Sequence, residues 1–368
     1  MSELRRVLII YTGGSIGMRR GERGYEPAPG QLAEQLAGMP RFHDPSQPLF
    51  TTPLTQFERR ISYEILEWDP LLDSSNMGME DWVHIARDIE QNYANFDAFV
   101  VLHGTDTMSY TASALSFMLV NLGKTVVLTG SQIPLFEVRN DAVSNLLGAL
   151  TIAGHFDIPE VSLYFHNKLM RGNRTQKIDA LGLNAFHSGN LMPLVEIGIQ
   201  IDVHWHRVRP MPTEGLRIRP ITQRNVASLR IFPGITAEIM QNFMLQPLEG
   251  VIIETFGAGN APDVRPDFLD VLREATARGV IIVSVTQCHR GRATINYATG
   301  QSLADAGVIP GADMTPEAAL CKLSYLLSQP DLDHDDVCRL MSMDLRGELH
   351  ENPQQPIFSF SKTRGSEI

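Results

Sequence analysis

The chain has 368 residues, of which 43% are hydrophobic and 20% charged, and its formal net charge is −11. This length and composition predict about two globular domains, each with its own core. The negative charge argues against a general nucleic-acid or anionic-membrane surface, and no apolar run approaches the roughly 20 residues of a membrane span. Arg5 and Arg6 precede the first apolar run, but Thr12 and its glycines interrupt that run too early for a signal peptide.

The cysteines are odd in number and lack CxxC spacing. Cys288, Cys321 and Cys338 all lie in the C-terminal third of the chain. Because structural disulfides belong to oxidising compartments, this usage predicts reduced, mostly buried thiols in a cytoplasmic protein.

The first candidate site follows a predicted buried strand, Val7 to Tyr11. Thr12-Gly13-Gly14 then frees the backbone to turn, and Ser15 follows at the carboxyl end of the strand. Ligands of open α/β sheets bind at that edge. A hydroxyl on a glycine-lined turn suits attack on a carbonyl, since nearby backbone N–H groups can receive the oxyanion. Taken alone, however, the fragment reads as an ordinary Gly-Ser turn.

A second fragment changes that reading. Ala98 to Leu102 predicts another buried strand, and the segment from Thr107 to Leu122 predicts a helix. Thr105 and Asp106, between them, fall at the same kind of strand end as Ser15. Asp106 by itself is also a good helix N-cap. Two hydroxyls and a carboxylate at one sheet edge nevertheless predict a catalytic cluster.

Strand-like and helix-like segments alternate through this half of the chain, which indicates right-handed βαβ units and a mainly parallel sheet. The segments are 98–103, 107–122, 125–129, 140–153 and 161–165. The polar stretch Lys168 to Asp179 then reads as irregular, and its cations as solvated. A lysine from it, brought beside Thr105 and Asp106, would form a hydroxyl–amine–carboxylate group able to activate a hydroxyl or its water.

Two further polar segments have alternative interpretations. Tyr25 lies in a Gly- and Pro-rich loop, Arg19 to Pro29, which predicts either a mobile lid or simple surface packing. The run Asp73 to Asn76 predicts a cap for a helix over Glu80 to Tyr93, or a polar shelf for a substrate.

A proline- and arginine-rich stretch, 203–225, predicts an interdomain linker. His204 and His206 would share one face of a strand, but without a third ligand or HExxH spacing a metal pair is disfavoured. A smaller α/β unit follows, with strands 226–232, 251–255 and 280–285 and helices near 236–244, 266–277, 315–329 and 332–342. The predicted division is therefore a catalytic α/β domain (1–202), the linker (203–225), a C-terminal α/β domain (226–350) and a loose tail (351–368).

Taken in order, these fragments resemble the L-asparaginases, specifically the cytoplasmic type I bacterial enzymes. The shared motifs are TGGSIG, GYEP, DSSNM, HGTDTM, TGSQIP, RGNRTQK, GAGNAP, TQC, YATG and GVIPGADMT, and the similarity covers nearly all of residues 5 to 348. The resemblance implies a flavodoxin-like N-terminal domain with a mostly parallel sheet, and a smaller Rossmann-like C-terminal domain. It also implies asparagine catabolism, the hydrolysis of L-asparagine to L-aspartate and ammonia, with no metal or cofactor.

The same resemblance assigns roles to individual residues. Ser15 takes the place of the family's first catalytic threonine, with Tyr25 as its lid partner. Thr105, Lys177 and Asp106 match the second triad, and Asp106 also meets the substrate's α-ammonium. The matched substrate-holding residues are Asp73, Ser74 and Ser75, together with Asn260 in GAGNAP, which the neighbouring subunit contributes. Homodimers, often paired into homotetramers, are implied as well.

Departures from the family pattern affect the orientation of the nucleophile and the regulation of the enzyme by asparagine. Ser15 lacks the methyl group of threonine that stiffens χ1, so the orientation of the nucleophile and the exclusion of glutamine are open. Close bacterial relatives bind effector asparagine through a threonine and an arginine at the positions of Gln176 and Glu254, while Cys288 is retained. Because a glutamate repels the effector's α-carboxylate, we expect no asparagine-driven switch. The opposing hypothesis is that Glu254 holds the effector's α-ammonium in a flipped pose.

Three other functions are alternatives to asparagine hydrolysis. A mixed glutaminase–asparaginase, or another amidase including the amidotransferase-associated relatives, is the nearest alternative, and Thr105 instead of Ser15 is a possible nucleophile. A short-chain nicotinamide oxidoreductase is suggested by TGGS and by Tyr164 to Lys168 as YxxxK, but Arg19 replaces the last glycine of its phosphate loop. A non-catalytic binding relative is disfavoured, because every expected hydroxyl, amine and carboxylate is present.

Overall fold

The computed structural model describes residues 4–22, 24–294 and 298–351. The strands are β1 (Arg5–Gly13), β2 (Met18–Gly21), β3 (Gly24–Pro27), β4 (Ile61–Leu72), β5 (Ala98–Leu102), β6 (Leu119–Val120), β7 (Thr125–Thr129), β8 (Val161–Phe165), β9 (Lys168–Arg171), β10 (Thr175–Lys177), β11 (Phe186–Ser188), β12 (Val195–Ile197), β13 (Ile201–Val203), β14 (Arg217–Ile218), β15 (Val226–Arg230), β16 (Gly250–Thr255), β17 (Ile281–Thr286) and β18 (Ile309–Pro310). The helices are α1 (Gln31–Ala37), α2 (Met79–Asn92), α3 (Met108–Met118), α4 (Ala142–His155), α5 (Ala237–Phe243), α6 (Pro266–Ala277), α7 (Ala298–Asp305), α8 (Pro316–Leu327) and α9 (His334–Met341). Most of the predicted tail, from residue 352 onward, and the tyrosine of YATG lie outside the described residues.

The large sheet has the strand order β13-β12-β9-β8-β7-β5-β1-β4. Neighbours among β4, β1, β5, β7 and β8 are parallel, and β9, β12 and β13 extend the sheet in antiparallel fashion. Counted in chain order, the parallel strands are arranged 2-1-3-4-5, which is the flavodoxin-like order. The fold class expected from the sequence is therefore confirmed, and the switch point of the sheet lies where β1 and β5 end.

Helices cover both faces of this sheet, as the near-continuous apolar strands require. On one face, Ile85 of α2 and Leu115 of α3 belong to a core that extends to Leu323 of α8. On the other face, Leu32 of α1 and Leu146 of α4 pack in a second core. Because α8 belongs to the C-terminal part of the chain and packs against α3, one hydrophobic core joins the two halves of the molecule.

The second, smaller sheet is parallel throughout, in the order β15-β16-β17-β18. Its outer face packs on α5 and α6 through residues such as Val251, Phe268 and Leu272. This arrangement matches the predicted Rossmann-like unit. The exact division at residues 202 and 226 stays a prediction, although β13 ends at Val203 and β15 begins at Val226.

Several local predictions were wrong, each because tertiary pairing overrides the local pattern. The irregular stretch before Asp73 contains β4, an edge strand whose exposed residues Glu64, Asp69 and Pro70 hide its periodicity. The helix predicted to reach Leu122 ends at Met118, because the next residues pair with β14. The loop around Tyr25 is a hairpin of β2 and β3, and the segment Lys168 to Asp179 contains β9 and β10.

Two further predictions concern the cysteines and membranes. All three cysteines are free, but Cys288 is exposed and Cys338 half-buried, so only Cys321 fits the predicted buried thiol. Among the residues that the structure describes, no helix is long and apolar enough to cross a membrane.

Candidate active site

The ends of β1, β4 and β5 meet so closely that only glycine fits between them. The backbone N–H of Gly14 donates to the carbonyl of Leu72 at 3.1 Å. A Cβ atom on Gly14 would lie 2.4 Å from Cα of Gly104, and Gly14 has a φ of +85°. This contact brings the turn that carries Ser15 directly beside the turn that begins at Gly104.

Ser15 is the first residue of a short 3-10 turn that ends at Gly17. Its side chain is half-buried at the carboxyl end of β1. Among the described residues, nothing hydrogen-bonds to the Ser15 hydroxyl. The oxygen therefore keeps its lone pairs for a ligand.

The predicted hydroxyl–amine–carboxylate group is present after β5. Nζ of Lys177 donates to Oγ1 of Thr105 at 2.9 Å and to Oδ1 of Asp106 at 2.7 Å. The side chain of Lys177 is 18% exposed, whereas that of Asp106 is 65% exposed. Asp106 does not cap α3, whose N-cap is Thr107 without a side-chain bond. The carboxylate therefore faces solvent, where it is accessible to a cationic ligand group.

Gln132, at the end of β7, is a site residue that sequence reasoning missed. Its Oε1 accepts the proton of the Thr105 hydroxyl at 3.1 Å. Its amide group donates to the carbonyl of Gly182 at 3.2 Å. The available signal was its place in TGSQIP at the end of a third parallel strand, the same kind of position that singled out Ser15 and Thr105.

A buried clamp holds Lys177 in place. The turn before β10 contains Arg174, whose guanidinium meets Asp313 of the C-terminal half at 3.0 Å. Arg174 also donates from Nε to the carbonyl of Gly347 at 2.7 Å. Both charged side chains are almost fully buried, so the pair is rigid, and β10 leads from this anchor straight to Lys177.

The predicted substrate shelf, residues 73–76, lies against the turn that begins at Gly104, after β5. Oδ1 of Asp73 accepts from the backbone N–H of Ser75 at 2.8 Å and from its hydroxyl at 2.7 Å. The carbonyl of the buried Ser74 accepts from the Thr107 hydroxyl at 2.7 Å. Asp73 therefore caps the short turn Ser74–Asn76, not α2; the cap of α2 is Gly78, held by Asp81.

Tyr25 and Asn260 lie farther out. Tyr25 is 49% exposed on β3, and its phenol donates to Oε1 of Glu137 at 2.9 Å. This hydrogen bond raises the pKa of Tyr25. Asn260 is exposed at the end of a tight loop, which is closed by an isolated bridge between Phe256 and Asn260. Within the described part of the chain, Asn260 has no hydrogen bond to any other predicted site residue.

The remaining candidates do not form further sites. His204 binds Glu196 at 3.2 Å and lies 6.0 Å from the ring of His206. The described residues contain no group of three His, Cys, Asp or Glu side chains that could hold a metal ion. Tyr164 lies on the buried strand β8, so its YxxxK spacing is not on a helix.

These features define a two-domain α/β protein with a hydroxyl–lysine–carboxylate site at the switch point of a flavodoxin-like sheet. The family model "Asparaginase, N-terminal" matches residues 6–209, and "Glutaminase/Asparaginase C-terminal domain" matches residues 225–341. L-asparaginase 1 of Escherichia coli (strain K12) is 51% identical over 350 residues, which cover 94% of this chain and 98% of that protein. The chain therefore belongs to the asparaginase family of enzymes.

A solved structure and a human protein are also similar to this chain. The crystal structure of L-asparaginase I from Vibrio cholerae O1 superposes with a TM-score of 0.85 at 48% identity, covering 95% of this chain and all (100%) of that one. The protein named 60 kDa lysophospholipase in Homo sapiens is 47% identical over 354 residues, covering 94% of this chain and 61% of that protein.

Proposed function

We propose that this enzyme hydrolyses the side-chain amide of L-asparagine to give L-aspartate and ammonia in the cytoplasm. The observation that carries the proposal is the contact of Lys177 with both Thr105 and Asp106, beside the turn of Ser15. The names of two similar proteins, L-asparaginase 1 of E. coli and L-asparaginase I of V. cholerae, support the same substrate.

Ser15 is the proposed nucleophile. Thr105 is less suited, because its oxygen accepts from Lys177 and its proton is directed to Gln132. The oxygen of Ser15 would form a bond to the amide carbon, and the proton of its hydroxyl would pass to the leaving nitrogen, which departs as ammonia. Water would then attack the β-aspartyl ester, restore the Ser15 hydroxyl and release aspartate.

Lys177, Thr105 and Asp106 are the proposed second triad. Lys177 touches the hydroxyl and the carboxylate at once, so it can relay a proton to or from the reacting water through Thr105. The exposed carboxylate of Asp106 has the charge to hold the substrate's α-ammonium. Asp73, Ser74 and Ser75 would hold the rest of the amino acid on the shelf.

A homodimer is proposed to complete the site. In one chain, Asn260 lies apart from the triad, so its proposed substrate contact requires a second subunit, and two such dimers would form a tetramer.

The test is ammonia release by the purified protein from L-asparagine and, separately, from L-glutamine. We expect turnover of asparagine with kcat/KM at least about tenfold above that of glutamine, since discrimination against one extra methylene in a hydrophobic pocket is about 10–200-fold. Equal turnover would favour the mixed glutaminase–asparaginase, and no ammonia from either would contradict the proposal.

A further inference from the structure

The phenol of Tyr25 has a partner that no motif accounts for. It donates to Oε1 of Glu137 at 2.9 Å, across a sequence separation of 112 residues. Glu137 is half-buried in the loop between β7 and α4. Among the described residues, Glu137 is the only hydrogen-bond partner of the Tyr25 phenol, and no hydrogen bond joins Tyr25 to Ser15.

The hairpin that carries Tyr25 has little packing of its own. Of the described residues in β2 and β3, only Met18 is buried, and the others are exposed. Segments with few buried contacts and exposed backbone bonds open at low free energy. The position of the Tyr25 side chain therefore depends on what that side chain contacts outside the hairpin.

The loop that carries Glu137 is, by contrast, firmly held. The carboxylate of Asp141 accepts from the backbone N–H groups of Gln132 at 3.0 Å and Ile133 at 2.9 Å. The side chain of Asn140 donates to the carbonyl of Glu137 itself at 2.7 Å. Glu137 is thus held by its own loop and can serve as a fixed acceptor for the phenol of the weakly packed hairpin.

Other contacts join the same two segments. The guanidinium carbon of Arg19, on β2, lies 4.1 Å from the ring centroid of Phe136. The backbone N–H of Leu135 donates to the carbonyl of Ile16, next to Ser15, at 3.0 Å. The loop also carries Gln132, which binds Thr105, so one rigid segment touches both halves of the site.

We propose that Glu137 is a positioning residue that holds the Tyr25 phenol at the mouth of the active site. The proton of the phenol is committed to the carboxylate, and the lone pairs of its oxygen stay available to the Ser15 hydroxyl. This follows the general arrangement in which a third group orients the partner of a nucleophile. The inference rests on the proposed function, because it gives Tyr25 a part in that reaction.

The experiment compares Glu137→Ala and Glu137→Gln with the matched control Glu26→Gln, whose carboxylate lies on the same hairpin. We expect Glu137→Ala to lower kcat/KM for asparagine by up to roughly 10²-fold, since a displacement of a catalytic group by about 1 Å can cost that much. Glu137→Gln should lose less, because an amide oxygen still accepts the phenol proton, and the control should match the wild type. In a Tyr25→Phe background, Glu137→Ala should cost nothing further, since the two act as one unit.

A second readout does not depend on turnover. In protein labelled with ¹³C at tyrosine Cζ, the resonance lost in Tyr25→Phe reports the titration of that phenol. Because the bond to Glu137 raises the pKa of Tyr25, we expect this pKa to fall in Glu137→Ala and not in Glu26→Gln.

The outcomes separate this inference from the proposed function. Unchanged kcat/KM in Glu137→Ala while Tyr25→Phe is impaired, an equal loss in both backgrounds, or an unshifted Tyr25 titration would each overturn the positioning role. Absence of ammonia release by the wild type would overturn the proposed function and leave the titration result standing.

Discussion

Nζ of Lys177 lies 2.7 Å from Oδ1 of Asp106, and the two side chains meet solvent very differently. The lysine is mostly buried and the carboxylate is exposed. The salt bridge therefore joins the amine to a carboxylate that remains accessible to a ligand. One carboxylate can therefore orient the lysine and bind a cationic substrate group.

Replacement of Lys177 by methionine keeps an unbranched side chain up to its ε atom and removes the amine. We expect kcat to fall by about 10²–10⁴, the range for loss of a general acid–base group. Lys168→Met on β9, the preceding strand in the chain, is the control and should keep wild-type activity. Steady-state ammonia release measures both, and a Lys177→Met enzyme of normal kcat would remove the lysine from the mechanism.

Replacement of Ser15 by alanine tests the nucleophile. We expect kcat to fall at least roughly 10³-fold, as after the loss of other nucleophiles. Ser15→Thr should stay active, because it keeps the hydroxyl and adds the methyl group that stiffens χ1. Near-normal turnover by Ser15→Ala would transfer the nucleophilic role to Thr105.

Mixing two inactive variants tests the shared site. Ser15→Ala and Asn260→Ala proteins should each be inactive, and co-refolded hybrids should recover part of the activity. Each hybrid dimer would contain one site built from two unmutated halves. If hybrids form, as shown by differently tagged subunits, and no activity returns, Asn260 lies outside the catalytic site.

The kinetics should be hyperbolic in asparagine, with a Hill coefficient of one. Gln176 donates to Glu317 at 3.2 Å and accepts from His289 at 2.9 Å, and the cavity beside it and Cys288 is only about 10 Å³. That volume is about the least that admits one water molecule, so no amino acid fits in this conformation. Without differential binding to two states, no population shift follows.

The variant Gln176→Thr with Glu254→Arg extends this prediction. Glu254 now binds Arg230 at 3.4 Å and accepts from Ser228 at 3.2 Å. An arginine there would offer bidentate bonds to an effector carboxylate. We therefore expect the double variant, unlike the wild type, to show rates that are sigmoidal in asparagine. Initial rates over a wide range of asparagine concentration decide it, and a wild-type Hill coefficient clearly above one would contradict the hypothesis.

The sequence by itself determined the turns that carry Ser15 and Thr105 and the fold class. Ser15 and Thr105 each follow an apolar β-branched strand and a glycine, and these local patterns fix a strand, a turn and a sheet edge without knowledge of any distant contact. The alternation of strands and helices determined the parallel sheet in the same way. The motif order then placed Lys177 and Asp73 in the site.

Only the tertiary structure decided what surrounds those groups. The contact of Lys177 with Thr105 spans 72 residues, and that of Tyr25 with Glu137 spans 112. The 12-residue edge strand β4 and the hydrogen bond of Gln132 to Thr105 were not predicted, for the same reason. Periodicity reports which face of an element is buried, whereas the partner of a polar side chain is set by strand register and by the packing of segments far apart in the chain.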